Sequence, residues 1–189
     1  MDSELKSKGP QRVQLILSAK SSGTPTFTSK LASLAPEEKQ RRFTESLNSA
    51  TGEVFEMMVG TSLGQSDEAT LPRVADYTSM IGLAGDLCGV LSFRCSLNTA
   101  VQIAGRMLGT DEHASEECIR DALGEICNMV AGSFKAQLSD VAEQCMLSVP
   151  TVVSGSDYQM YPLVNGLRIQ IARSFEGALI WMTIDLHNS

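Results

Sequence analysis

Nine residues, GEVFEMMVG at positions 52–60, recur as GEICNMVAG at 124–132, without a gap and 72 positions later. Gly, Glu, Met and the closing Gly are identical, and the positions between them stay mostly apolar. Downstream of each copy lies a similar apolar segment, GDLCGVLSF (85–93) and EGALIWMTI (176–184). A chain built from two such copies must pack them against each other, and pseudo-twofold symmetry is the natural result.

The elements around the repeat follow from local chemistry. Pro36 with Glu37 and Glu38 opens a helix, with proline at its first position and acids in its first turn, running to near Gly60. After a polar loop, TLPRVADYTSMIGLAG and LCGVLSFRC read as strands separated by Gly-Asp turn chemistry. Ser96 caps LNTAVQIAGRML, which Gly109 ends. Ser115, followed by Glu116 and Glu117, opens a helix to about Leu138. MLSVPTVVSG, LRIQIAR and ALIWMTIDL close the chain as strands, and Leu167, Ile169 and Ile171 alternate with Arg168 and Gln170. The order predicts an α+β fold, with copy one at about 43–95 and copy two at about 115–186.

Within the second copy, Ile119, Ala122, Leu123, Ile126, Met129, Val130 and Phe134 recur at helical spacing and predict a buried face. At about 100° per residue, Asp121, Glu125, Asn128 and Gly132 then fall within roughly 60° of one another on the opposite face. No Lys or Arg joins them before Lys135, which is unlike an ordinary solvated helix face. In the first copy the same stripe reads Ser49, Glu53, Glu56, with Glu56 where Asn128 stands.

Bulk properties remove several function classes. No apolar stretch is long enough to span a membrane, and Val13–Leu17 is too short for a signal-peptide core, so a cytoplasmic location is expected. The five cysteines form no CxxC pair, and His113 and His187 lie far from any ligand cluster; reduced, buried thiols without a metal site are expected. Net charge is −7, split between residues 1–42, with eight Lys and Arg against four Asp and Glu, and the remainder, with seven against eighteen. An acidic body argues against nucleic acid as a partner. Residues 1–42, rich in Ser, Thr, Pro and Gly, read as a flexible or partly ordered arm, and its VQLIL segment could add an edge strand or dock elsewhere.

Asp121-x3-Glu125-x2-Asn128, followed by Pro150 in LSVPTVVSG, closely resembles the signature of the CheC/CheX chemotaxis phosphatases, and the CheX branch in particular. The resemblance covers roughly residues 43–186. It implies a CheC-like fold, with long helices packed on a mostly antiparallel sheet, and hydrolysis of the aspartyl-phosphate of a CheY-like response-regulator receiver domain. On this resemblance Asn128 orients the attacking water and Glu125 docks on the receiver's lysine. Asp121 would stand at the rim, and Gly132 would let the partner's backbone approach. Mg²⁺ is then expected on the receiver, with no cofactor bound by this chain. Glu56 would put an anion beside phosphate, so Ser49, Glu53 and Glu56 mark a degenerate site.

The resemblance further implies a homodimer formed by joining sheet edges. LRIQIAR and ALIWMTIDL are compatible with that role, and equally with a buried central hairpin. Tyr158, Tyr161 and Trp181 are expected to pack against the core or sheet. A non-catalytic receiver-binding or dimerisation module is the alternative reading of the whole chain.

Overall fold

The computed structural model describes residues 34–66, 75–109, 114–155, 158, 160 and 166–187. Most of the N-terminal arm, with VQLIL, and also His113 and Tyr161, lie outside the described residues. Helix α1 spans Pro36–Val54 and runs on into one π-helical turn, Phe55–Val59, closed by Gly60 at φ 69°. That left-handed backbone suits a residue without Cβ. Helix α2 spans Leu97–Leu108, with Ser96 accepting a hydrogen bond from the Thr99 N–H and Gly109 left-handed at its end. Helix α3 spans Glu116–Gln137 and is capped in the same way by Ser115, which accepts from the Cys118 N–H.

The strands are β1 (Gly64–Gln65), β2 (Tyr77–Gly85), β3 (Gly89–Cys95), β4 (Cys145–Leu147), β5 (Thr151–Ser154), β6 (Gly166–Phe175) and β7 (Ala178–His187). They form one antiparallel sheet in the order β1-β6-β7-β3-β2-β4, with β5 also on β2. Read backwards, the order exchanges β1 with β4, β6 with β2 and β7 with β3. Each copy therefore lends its short first strand to the other copy's edge. At the centre Ser92 pairs with Thr183, flanked by Leu91 with Ile184 and Phe93 with Met182. The alignment of GDLCGVLSF with EGALIWMTI carries each of these flanking pairs onto the other, so the pseudo-twofold axis passes through Ser92 and Thr183.

Helices α1 and α3 lie antiparallel on one face of the sheet, α1 over β6 and α3 over β2 and β3, while α2 packs on α3 and the π turn. Phe43 meets Phe134 edge-on at 5.9 Å, and Phe55 meets Phe93 and Phe175. These join Ile81, Leu91, Ile126, Val130 and Ile184 in one buried core cluster. The C-terminal hairpin is turned by Glu176 and Gly177 at positive φ; β7 lies between β3 and β6, while β6 pairs β7 along its length and meets β1 only at Arg173 and Ser174. β7 is thus central, whereas residues 166–172 of β6 carry no strand on their outer side among the described residues. Tyr158 hydrogen-bonds through its hydroxyl to Thr78 Oγ1 at 2.6 Å.

Candidate functional site

Helix α3 presents its two faces as its periodicity requires. Ile119, Ala122, Leu123, Ile126, Val130 and Phe134 are buried, and Met129 is half-buried against the same core. On the opposite side Asp121 and Glu125 are exposed, while Asn128 and Gly132 are half-buried. The four form one continuous stripe. Among the described residues the side chains of Asp121, Glu125 and Asn128 make no hydrogen bond or ion pair. Some other exposed acids are matched along their own helices, as when Arg41 spans Glu38 and Glu45. Asp121 instead has Glu125 at i+4, and like charges at that spacing repel. Gly132 is interior to α3, which continues five residues beyond it to Gln137.

The stripe borders an open groove of about 530 Å³, lined by Arg120, Asp121, Gly124 and Glu125 from α3 and by Pro150 and Val152. Its far wall exists because the last segment before β6 is not one continuous strand, as expected from MLSVPTVVSG, but two strands separated by a bulge. Leu83 faces Leu147 whereas Met80 faces Thr151, so three steps on β2 are matched by four on the partner. Ser148 fills the gap: its N–H donates to the Gly82 carbonyl, and its Oγ accepts from the Gly82 N–H, both at 2.9 Å. Pro150 follows, on an edge where its missing N–H leaves no ladder bond unmade. Its ring lies over Gly124, where an added Cβ would stand 3.5 Å from Pro150 Cγ. The end of the groove is tied by Glu116, which accepts from Arg120 at 2.6 Å and from Ser154 Oγ at 3.4 Å.

The first copy carries the same stripe in different circumstances. Glu53 accepts from Ser49 Oγ (2.7 Å), Ser133 Oγ (3.1 Å) and Gln137 Nε2 (3.3 Å). Glu56, on the π turn, accepts from Ser62 Oγ at 2.9 Å. The asymmetry arises because α3 outruns its counterpart. Ser133 and Gln137 lie beyond Gly132 on α3 and reach across to α1, whereas α1 stops at Gly60. Their equivalents, Thr61 and Gln65, serve Arg106 and Arg173 instead. The contacts that occupy Glu53 thus have no mirror image over Glu125. Sequence reasoning missed this tether and the roles of Arg120 and Val152 as groove walls, because none of them is marked by periodicity.

All five cysteines are free. Cys95, Cys127 and Cys145 are buried, but Cys118 is half-buried and Cys88 exposed, which corrects the expectation that every thiol is buried. Burial pushes the Cys127 thiol up to about 12 and raises that of Cys95 further. Among the described residues no three His, Cys, Asp or Glu side chains gather in a way that could hold a metal ion. Among them, too, no helix is long and apolar enough to cross a membrane.

The sequence matches the family model for chemotaxis phosphatase CheX over residues 77–172. The CheY-P phosphatase CheX of Thermotoga maritima is 28% identical to it, over 60% of this chain and 78% of that protein. The crystal structure of the chemotaxis protein CheX from Vibrio vulnificus shares the fold at a TM-score of 0.68 and 24% identity, over 77% of this chain and 96% of that one. So does the CheX-CheY-BeF3-Mg²⁺ complex from Borrelia burgdorferi, at a TM-score of 0.64 and 19% identity, over 77% and 98%. With the family model matched across half of its length, its duplicated architecture and the motif helix set against Pro150, the chain belongs to the chemotaxis phosphatase CheX family.

Proposed function

We propose that this protein hydrolyses the aspartyl-phosphate of a CheY-like response-regulator receiver, with one live site on α3. The observation that carries the reading is the contrast between the copies: the side chains of Glu125 and Asn128 share an open face beside a groove and have no partner among the described residues, whereas Glu53 is engaged by three. The relative from Thermotoga maritima is a CheY-P phosphatase, and the Borrelia burgdorferi relative was solved with CheY, BeF3 and Mg²⁺.

An acyl phosphate already has a good leaving group, so the enzyme's task is to hold a water in line with phosphorus. Positioning of this kind supplies several kcal/mol. The Asn128 amide suits it, because its carbonyl accepts from the water while its NH₂ donates towards phosphoryl or carboxylate oxygens. A carboxylate at that place would repel the phosphoryl group. Glu125, one turn back, pairs with the receiver's lysine and draws it from the phosphate. Asp121 stands at the rim, and the bare backbone of Gly132 admits the partner closely. Mg²⁺ comes with the receiver. The protein acts in the cytoplasm as a homodimer, its catalytic domain including all of α1 from Pro36 and so beginning before the boundary expected near residue 43.

The test uses CheY-like receivers from the same genome, phosphorylated by a small phosphodonor in Mg²⁺, with loss of phosphate followed over time. Acceleration abolished by Asn128→Ala and Glu125→Ala, and untouched by Glu56→Ala, is the expected result. Binding without acceleration, indifferent to Asn128, would overturn it in favour of a non-catalytic receiver-binding module.

A further inference from the structure

The groove beside Glu125 has a net negative lining. Of its three charged side chains, Arg120 is already held by Glu116, whereas Asp121 and Glu125 are exposed and have no partner among the described residues. Pro150 and Val152 make an apolar wall facing them. What fits both walls carries a cation on one side and apolar groups on the other.

The chain itself carries such a segment. Before Leu34 stand five basic residues, Lys6, Lys8, Arg12, Lys20 and Lys30, against the two acids Asp2 and Glu4. From Leu34 onwards the balance is reversed, with ten Lys and Arg against twenty Asp and Glu. Arg12 stands directly before VQLIL at 13–17. In an extended segment successive side chains point to opposite sides, so Arg12 falls on one side and Val13, Leu15 and Leu17 on the other. A groove with acids on one wall and Pro150 and Val152 on the other accepts that division.

The reach is sufficient. Arg42 bonds Asp140 at 2.8 Å, which pins the start of α1 beside the end of α3. Pro36 lies about 9 Å further out along α1, and Glu125 about 18 Å back along α3 from Gln137, so roughly 30 Å separates the helix start from the groove. Residues 18–35 between VQLIL and α1 span about 60 Å when fully extended, and about 23 Å as a root-mean-square coil. A linker whose coil length is close to the distance it must cover gives an effective concentration in the mM range, at which weak contacts are populated.

We infer that residues 12–17 of the same chain occupy this groove, Arg12 on Asp121 and Glu125, and Val13, Leu15 and Leu17 on Pro150 and Val152. The docking stands on the groove alone; its consequence for the receiver rests on the phosphatase reading above. There the segment competes with the receiver's lysine for Glu125, and the receiver binds only the fraction of molecules whose groove is open.

The test compares full-length ¹⁵N-labelled proteins by the amide signals of Gly124, Glu125 and Val152. Arg12→Glu combined with Leu15→Asp should move these signals, while Arg12→Lys, which keeps the cation, and Lys30→Glu, which changes charge elsewhere, should leave them near wild type. A CheY-like receiver loaded with beryllofluoride and Mg²⁺ should bind the double variant about two- to tenfold more tightly than wild type, with KM lowered in parallel. Mixing labelled wild type with an excess of unlabelled double variant should change nothing, because each groove holds its own segment. Groove signals indifferent to the double variant, or an equal response to Lys30→Glu, would overturn the docking. So would a shift in the mixed sample, which would assign the segment to a second copy. If the groove signals respond as expected but no receiver is dephosphorylated, the phosphatase reading fails and the docking stands. If receivers are dephosphorylated and the groove signals ignore the double variant, the docking alone falls.

Discussion

Gly52 and Gly124 open the two copies of the repeat at equivalent places on α1 and α3, yet their surroundings differ. A Cβ built on Gly52 has nothing within 4 Å. One built on Gly124 lies 3.5 Å from Pro150 Cγ, 3.7 Å from Pro150 Cβ and 3.8 Å from Val152 Cγ2. These are ordinary van der Waals separations, so an alanine fits without displacing β5. Replacing an interior helix glycine by alanine recovers about 1 kcal/mol. At Gly124 the new methyl is also buried, which adds about 0.8 kcal/mol. Gly124→Ala should therefore stabilise the protein by about 1–2 kcal/mol and raise Tm by about 2–8 °C for a chain of this size. Gly52→Ala should gain only the propensity term. Gly124→Val should reverse the sign, because its branches must push Pro150 and Val152 outward at about 1–3 kcal/mol. Urea unfolding with linear extrapolation, beside thermal melts, reads all three. A loss of stability in Gly124→Ala would show that β5 presses on α3 more closely than these distances allow, and the account of the groove wall would be wrong.

Other expectations follow from the two copies and the buried thiols. In an Asn128→Ala background, Glu56→Asn should not recover hydrolysis, because Ser49, Ser133 and Gln137 still occupy Glu53; recovered turnover would show that the tether is irrelevant. Ser133→Ala should lower unfolding free energy by about 1 kcal/mol or less, the usual worth of one hydrogen bond, and leave receiver dephosphorylation unaltered. In the native protein a thiol reagent should modify Cys88 promptly and Cys95 and Cys127 only on unfolding, as mass spectrometry of the labelled chain would report. The Cys127 thiol has its folded pKa raised by burial, from 9.0 to about 12. Its contribution to stability is therefore complete below pH 9 and is lost as pH rises towards 12. At pH 10 the loss is about 1.4 kcal/mol, and Cys127→Ala should flatten that part of the pH–stability curve.

Much of the site is legible in the sequence because it rests on chemistry local to one helix. Ser115 and the acids after it start α3, the apolar spacing decides which side is buried, and Asp121, Glu125 and Asn128 must then share the other side. Ser96 and Gly109 bound α2 for the same reason, with cap and stop acting within one turn of the residues they serve. The duplication too is visible as a constant offset between positions, and with it the expectation of a pseudo-twofold axis.

What the tertiary structure alone decided are matters of long-range pairing. No periodicity announces that β1 joins β6 while β5 joins β2, so the crossing of strands between copies has no signature along the chain, and the two-residue β1 is too short to read as anything but loop. The bulge at Ser148 arises only from register against β2, since a strand's own sequence does not say how its partner counts. Likewise, sequence could mark Glu56 as a poor substitute for Asn128, but not that Glu53 is tied down from α3. That tether depends on one helix outrunning the other across a shared core. The sequence by itself determined which residues form the stripe, through spacing along one chain; contacts between the copies decided which stripe stays open.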